Sequence, residues 1–100
     1  MSDLVPTHGA RVLLELSTAG EHDVAYRVEL HAPEASFAGA ASLAIPGGAI
    51  TFEPWTLLRG EGEPAPWMID SARAFLRTLF KNAIEERDWP RKQLRWRERK

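Results

Sequence analysis

The stretch Val24-Ala25-Tyr26-Arg27-Val28-Glu29-Leu30-His31 decides the fold. Val24, Tyr26, Val28 and Leu30 alternate with Ala25, Arg27, Glu29 and His31, which is the period-two signature of a strand with one apolar and one wet face. Upstream, Val12, Leu14 and Leu16 alternate with Arg11, Leu13 and Glu15, so a second strand precedes it. Turn-forming residues from Ser17 to Glu21 separate the two, which predicts an antiparallel hairpin.

Downstream, Pro33 interrupts the chain and a third run follows over residues 36–45. Phe37, Gly39, Ala41, Leu43 and Ile45 share one face; Ala38, Ala40, Ser42 and Ala44 share the other. Small residues at this density mark either the close approach of another group or an alanine-rich run with no packing purpose. Pro46-Gly47-Gly48 reverses the chain into a fourth strand that runs from Ala49 to about Glu53. Pro54 ends it, and Trp55 to Leu58 reads as a short extended continuation.

Residues 59–66 form a loop rich in Gly, Glu and Pro. From there Met68, Ala72, Phe75, Leu76, Leu79 and Ala83 recur at spacings of three and four, with Phe80 at the edge, giving an amphipathic helix. Pro64 or Pro66 suits its first turn, Asp70 complements the dipole near its start, and Lys81 and Arg87 do so near its end. Pro90 predicts a stop or kink near Asp88. The expected architecture is α+β: a four-stranded antiparallel meander covered on one face by one long C-terminal helix, followed by a basic, Trp-containing tail. The expected layout is a single domain over 1–100, with a flexible arm at 1–9, the sheet at 10–58, the helix at 64–87 and the tail at 88–100.

One hundred residues suffice for one modest core. The absence of cysteine excludes disulfides and thiolate chemistry, and fits a reducing, cytoplasmic setting. The N-terminus lacks the basic and apolar regions of a secretory signal. The uncharged stretch from Ala35 to Phe52 holds a turn, so no run is long enough to span a bilayer, and a membrane role is not expected.

Charge is divided unevenly. The last fourteen residues, RDWPRKQLRWRERK, hold seven basic and two acidic side chains; the rest of the chain holds six basic and twelve acidic. Trp89, Gln93 and Trp96 follow helical spacing there, whereas Leu94 and Trp96 against Arg95 and Arg97 follow strand spacing. Asp88 suits the cap of a short helix, and the tail is read as a turn or helix. Its charge has three readings. It folds back over the acidic body as a clasp, with the Trp rings closing the core. It meets a protein partner. Or it binds nucleic acid, with guanidinium groups on phosphate and indoles stacked on bases.

Catalytic and metal motifs are lacking. His8, His22 and His31 show no metal-ligand spacing and are read as surface residues. Ser17, Ser36, Ser42 and Ser71 lack a nucleophile-elbow context. Glu61 and Glu63 sit in a solvated loop, and the glycines form no phosphate-binding pattern. Trp55 and Trp67 bracket that loop and serve either the core or an aromatic patch. The helix also carries a ridge of Arg73, Arg77 and Lys81.

The segment AFLRTLFKNAIEERDWPRKQLRWR, from Ala74 to Arg97, resembles the ends of small uncharacterised bacterial α+β proteins, through Trp89-Pro90-Arg91 and Arg95-Trp96-Arg97. The resemblance implies a bacterial cytosolic origin and no assigned activity. The expected role is a non-enzymatic module binding a protein through the open sheet face or the tail. The candidate partner residues are Arg91, Lys92, Arg95, Trp96, Arg97 and Arg99, the same set that a nucleic-acid binder would use. A homodimer through an exposed edge is compatible with this plan. An enzyme with a cleft near Trp55 and Glu61 is the third option. No cofactor is expected.

Overall fold

A computed structural model describes residues 5–98. The elements are β1 (Ala10–Ala19), β2 (Asp23–His31), β3 (Ser36–Ala44), β4 (Ile50–Phe52), β5 (Thr56–Arg59), α1 (Pro66–Ala83) and β6 (Lys92–Arg97). The strands form one antiparallel sheet in the order β4-β3-β2-β1-β6, with β5 also on β3. The α+β class stands, and two expectations about its layout are corrected.

The first correction is the strand count, six rather than four. β3 is long enough for two partners on the same edge: β4 pairs Ala41 to Leu43, and β5 pairs Ser36 to Ala38. Pro54 lies between them and has no N–H to give to the ladder. The neighbouring Glu53 N–H still reaches the Ala40 carbonyl at 2.9 Å. Trp55 folds over Gly39, where an added Cβ would lie 2.6 Å from the indole. The small residues of β3 thus serve a close approach, at least at this position.

The second correction concerns the chain after the helix. α1 stops at Ala83 rather than near residue 87, and the tail is a strand rather than a turn or helix. Arg87 adopts a left-handed φ of 52° and turns the chain out of its last helical turn. Pro90 then blocks renewed helix. β6 runs back along β1, with Ala10 opposite Arg97 and Glu15 opposite Lys92. Without β6, the ten-residue β1 would present a long apolar edge. The tail's local pattern was compatible with either structure; the demand of that edge selects the strand.

The core lies between the sheet and α1. Val12, Leu14, Val24, Tyr26, Val28, Leu30, Phe37, Ala41 and Leu43 meet Met68, Ala72, Leu76, Leu79 and Ala83 of the helix. Ser71 is the polar member of the helix's buried face, and its hydroxyl donates to the Trp67 carbonyl at 2.7 Å. Pro66 opens the helix, but its first turn holds no acidic residue, so Asp70 sits too far along to serve the dipole there. Within residues 5–9, Pro6 and Gly9 are buried. Gly9 has φ 69°, and an added Cβ would lie 2.5 Å from the Arg97 carbonyl oxygen. Glycine is therefore required where this segment crosses the end of β6.

Candidate functional site

Among the described residues β6 has one neighbour, β1, and its other side is an open sheet edge. The ladder fixes what faces that edge. Leu16 N–H donates to the Arg91 carbonyl at 2.8 Å, so Leu16 and Arg91 form a directly hydrogen-bonded pair. Antiparallel pairs alternate between bonded and non-bonded. Gln93, Arg95 and Arg97 therefore turn their backbone groups toward β1. Lys92, Leu94 and Trp96 turn theirs outward.

Side chains divide the same way. Lys92, Leu94 and Trp96 share a face with their register partners Glu15, Leu13 and Arg11, opposite the helix. Gln93, Arg95 and Arg97 lie on the helix side with Leu14, Val12 and Ala10. Leu94 is 48% exposed and Trp96 46%. Trp96 is nevertheless held: its Nε1–H donates to the His8 carbonyl at 3.1 Å, and the two rings meet edge to face at 5.3 Å. Arg97 lies with its guanidinium 5.0 Å from the centre of the Phe75 ring. Arg91, Lys92 and Arg95 are exposed. Arg99 lies outside the described residues.

Beside backbone pairing and these Trp96 and Arg97 contacts, Trp89 and Tyr26 join the tail to the core. Trp89 is buried against Phe80 at 5.7 Å between ring centres. Tyr26, fully buried, donates its hydroxyl proton to the Pro90 carbonyl at 2.6 Å. Burial pushes the Tyr26 phenol up to about 12. Ion pairing does not join them. Among the described residues the salt bridges are Arg27–Glu29 and His31–Glu29, and neither involves β6. Even Glu15 and Lys92, neighbours in the ladder, form none. The acidic body therefore does not neutralise the cations of the strand.

A second constellation lies on the same open face and was missed in the sequence. The sequence pattern puts His31 at the surface, but it is buried, as is Ser36. The two are cross-strand partners between β2 and β3. His31 Nδ1 is 2.8 Å from Ser36 Oγ, and Nε2 is 2.8 Å from Glu29 Oε1. Arg27 Nε donates to Glu29 Oε2 at 3.1 Å. Burial by itself pushes the Glu29 carboxyl up; the bonds and charges of His31 and Arg27 more than offset this, so it sits below its ordinary value. An ionised carboxylate only accepts, so the His31 Nε2–H donates to Glu29 Oε1, and the Nδ1–Ser36 bond closes the set across the two strands. The visible signal was Glu29-x-His31, two residues apart and so on one face of a strand.

Serine, imidazole and carboxylate in this order resemble a nucleophile with its base and acid. Ser36, however, is 2% exposed, out of reach of a substrate carbonyl. The set acts as a cross-strand lock. Near Trp55, a cleft of about 530 Å³ opens between β5 and the start of α1, lined by Phe37, Trp55, Leu57 and Ile69, with Glu63 at its wall. Glu61 does not line it. Among the described residues, no three metal-capable side chains come together.

No family model, curated protein or solved structure matches this chain.

Proposed function

We propose that this protein is a non-enzymatic interaction module that binds a protein partner through basic strand β6 and the open sheet face beside it, in a cytoplasmic setting. The observation that carries this reading is the state of β6. Among the described residues its Lys92 and Arg95 are exposed without an acidic partner, and Leu94 and Trp96 expose apolar surface on the same face as Lys92. Exposed aromatic and aliphatic groups ringed by charge are the composition of an interface core and rim. No helix among the described residues is long and apolar enough to cross a membrane.

The Arg–Trp alternation that favours nucleic acid is arranged less well for it. Lys92 and Arg95 lie on opposite faces of the sheet, so they do not track one phosphate backbone. The Trp96 indole is already engaged with His8.

Affinity capture from expressing cells, run with and without nuclease, tests the reading. A protein retained by the wild type and lost with Lys92→Glu/Arg95→Glu supports it. Retention of nuclease-sensitive material alone transfers the function to nucleic acid.

A further inference from the structure

We infer that the partner is taken up as an added strand: an extended acidic segment of another protein pairs antiparallel with the free edge of β6. The inference rests on the proposal that β6 binds a protein, and it names the chemistry of that partner. The backbone groups of Lys92, Leu94 and Trp96 point outward along an edge that, among the described residues, carries no other strand. Such an edge is a template for main-chain pairing, with side chains at alternate positions supplying selectivity.

The side chains of β6 then specify the guest by position. Residues opposite Lys92, Leu94 and Trp96 project on the open face; those opposite Gln93 and Arg95 project on the helix side. Opposite Trp96 and Leu94, which are half exposed, an apolar residue gains burial. Opposite Lys92 and Arg95, which have no acidic partner among the described residues, a carboxylate gains a cross-strand ion pair. Read from the guest's N-terminus, the pattern is apolar, acidic, apolar, any residue, acidic.

The same charges argue against a second copy as the occupant. β6 reads Lys-Gln-Leu-Arg-Trp-Arg from 92 to 97, with three cations and no acid. Two such strands side by side would bring six cations to one seam, which is how natural edges ward off self-pairing. An acidic strand removes that penalty.

The probe is a synthetic peptide bearing Val-Glu-Val-Thr-Glu, compared with its Glu→Lys counterpart and a single-stranded oligonucleotide. The acidic peptide should bind, the lysine peptide at least roughly tenfold more weakly, with affinity falling as salt rises. Leu94→Pro removes an outward N–H while sparing the bonds to β1, as edge positions allow. It should weaken binding at least roughly tenfold, whereas Leu94→Ala, which keeps the amide, should weaken it less. Should Leu94→Pro fail to fold, amide exchange in the wild type decides: Leu94 and Trp96 amides should exchange at least roughly tenfold more slowly with peptide bound. Binding that ignores Leu94→Pro but is lost in Lys92→Glu/Arg95→Glu overturns strand addition while leaving protein binding intact. Binding of the oligonucleotide alone, or of no probe, overturns both. A dimer in sedimentation that Leu94→Pro dissolves assigns the edge to a second copy and also overturns the inference.

Discussion

The Tyr26 hydroxyl and the Pro90 carbonyl, sixty-four residues apart, meet at 2.6 Å under the helix. Tyr26 is the pivot between the central strand and the segment that delivers β6 to the edge. Its ring belongs to the core and its oxygen positions Pro90, immediately after buried Trp89. Tyr26→Phe keeps the ring but leaves the Pro90 carbonyl without this donor, so it should cost about 1–2 kcal/mol in denaturant unfolding. Faster amide exchange should concentrate in β6 and in the β1 amides that face it. A loss spread evenly through the sheet would show that the bond does not specifically hold β6.

Alkaline pH tests the burial of the same phenol through linkage. The folded phenol is raised to about 12 from an ordinary 10.0. The folded state therefore holds the proton more tightly than the unfolded chain. The contribution is fully present below about pH 10 and is lost as pH rises from there through about 12. Tyr26→Phe should flatten that part of the stability profile. An identical alkaline slope in wild type and variant would sink this assignment.

The Glu29 carboxyl is shifted the other way, below its ordinary 4.5. Its contribution is present above about that value and is lost as pH falls through the lower folded value. Glu29→Gln should cost about 1–2 kcal/mol at neutral pH, because His31 and Arg27 lose a charged acceptor. The difference between variant and wild type should shrink in acid, where the wild-type carboxyl is itself protonated. A gap that stays constant from neutral pH down into acid would rule out the lock as drawn.

How much of this was legible follows from which signals are local. β1, β2 and β3 announce themselves because alternation is a property of neighbouring residues. α1 does so because Met68, Ala72, Leu76, Leu79 and Ala83 repeat at helical spacing. β6 does not, because Trp89, Gln93 and Trp96 imitate a helix and the open edge of β1 that selects a strand lies some eighty residues away. β5 was reduced to an extended continuation because its partner, the first half of β3, is likewise non-local. The lock was hidden for the same reason. Glu29-x-His31 is readable on one strand, but Ser36 joins it only through the β2–β3 register. Of the candidate site, the residue types were visible. Which of them face outward depends on the bond between Leu16 and Arg91.

Gly39 offers a steric test of the β4–β5 corner. An added Cβ would lie 2.6 Å from the Trp55 ring, so Gly39→Ala must displace the indole. The expected cost is about 1–3 kcal/mol, in the range of other overpacked sites. Combining it with Trp55→Ala should give less than the sum of the two single costs, since the clash then disappears. Strict additivity in the double mutant would show that Trp55 is not what excludes a side chain there.

The last prediction separates charge from docking. If cations on β6 clasped the acidic body, neutralising them would loosen the fold. The geometry gives them no acidic partner, and assigns the hold to the β1 ladder, Trp89 and Tyr26. Lys92→Gln/Arg95→Gln should therefore change stability by no more than about 0.5 kcal/mol, as for surface substitutions that touch no network. Added salt should leave the difference unchanged, because no exposed pair is there to be screened. Trp89→Ala, by contrast, empties a buried indole site against Phe80 and should cost about 3–5 kcal/mol. The two variants should also differ in binding. The neutralised strand stays folded and loses its acidic partner, whereas the Trp89 variant loses the partner only to the extent that it unfolds. A large stability loss on neutralisation would instead make the charge asymmetry part of the fold, and would leave β6 with no cations to spare for a partner.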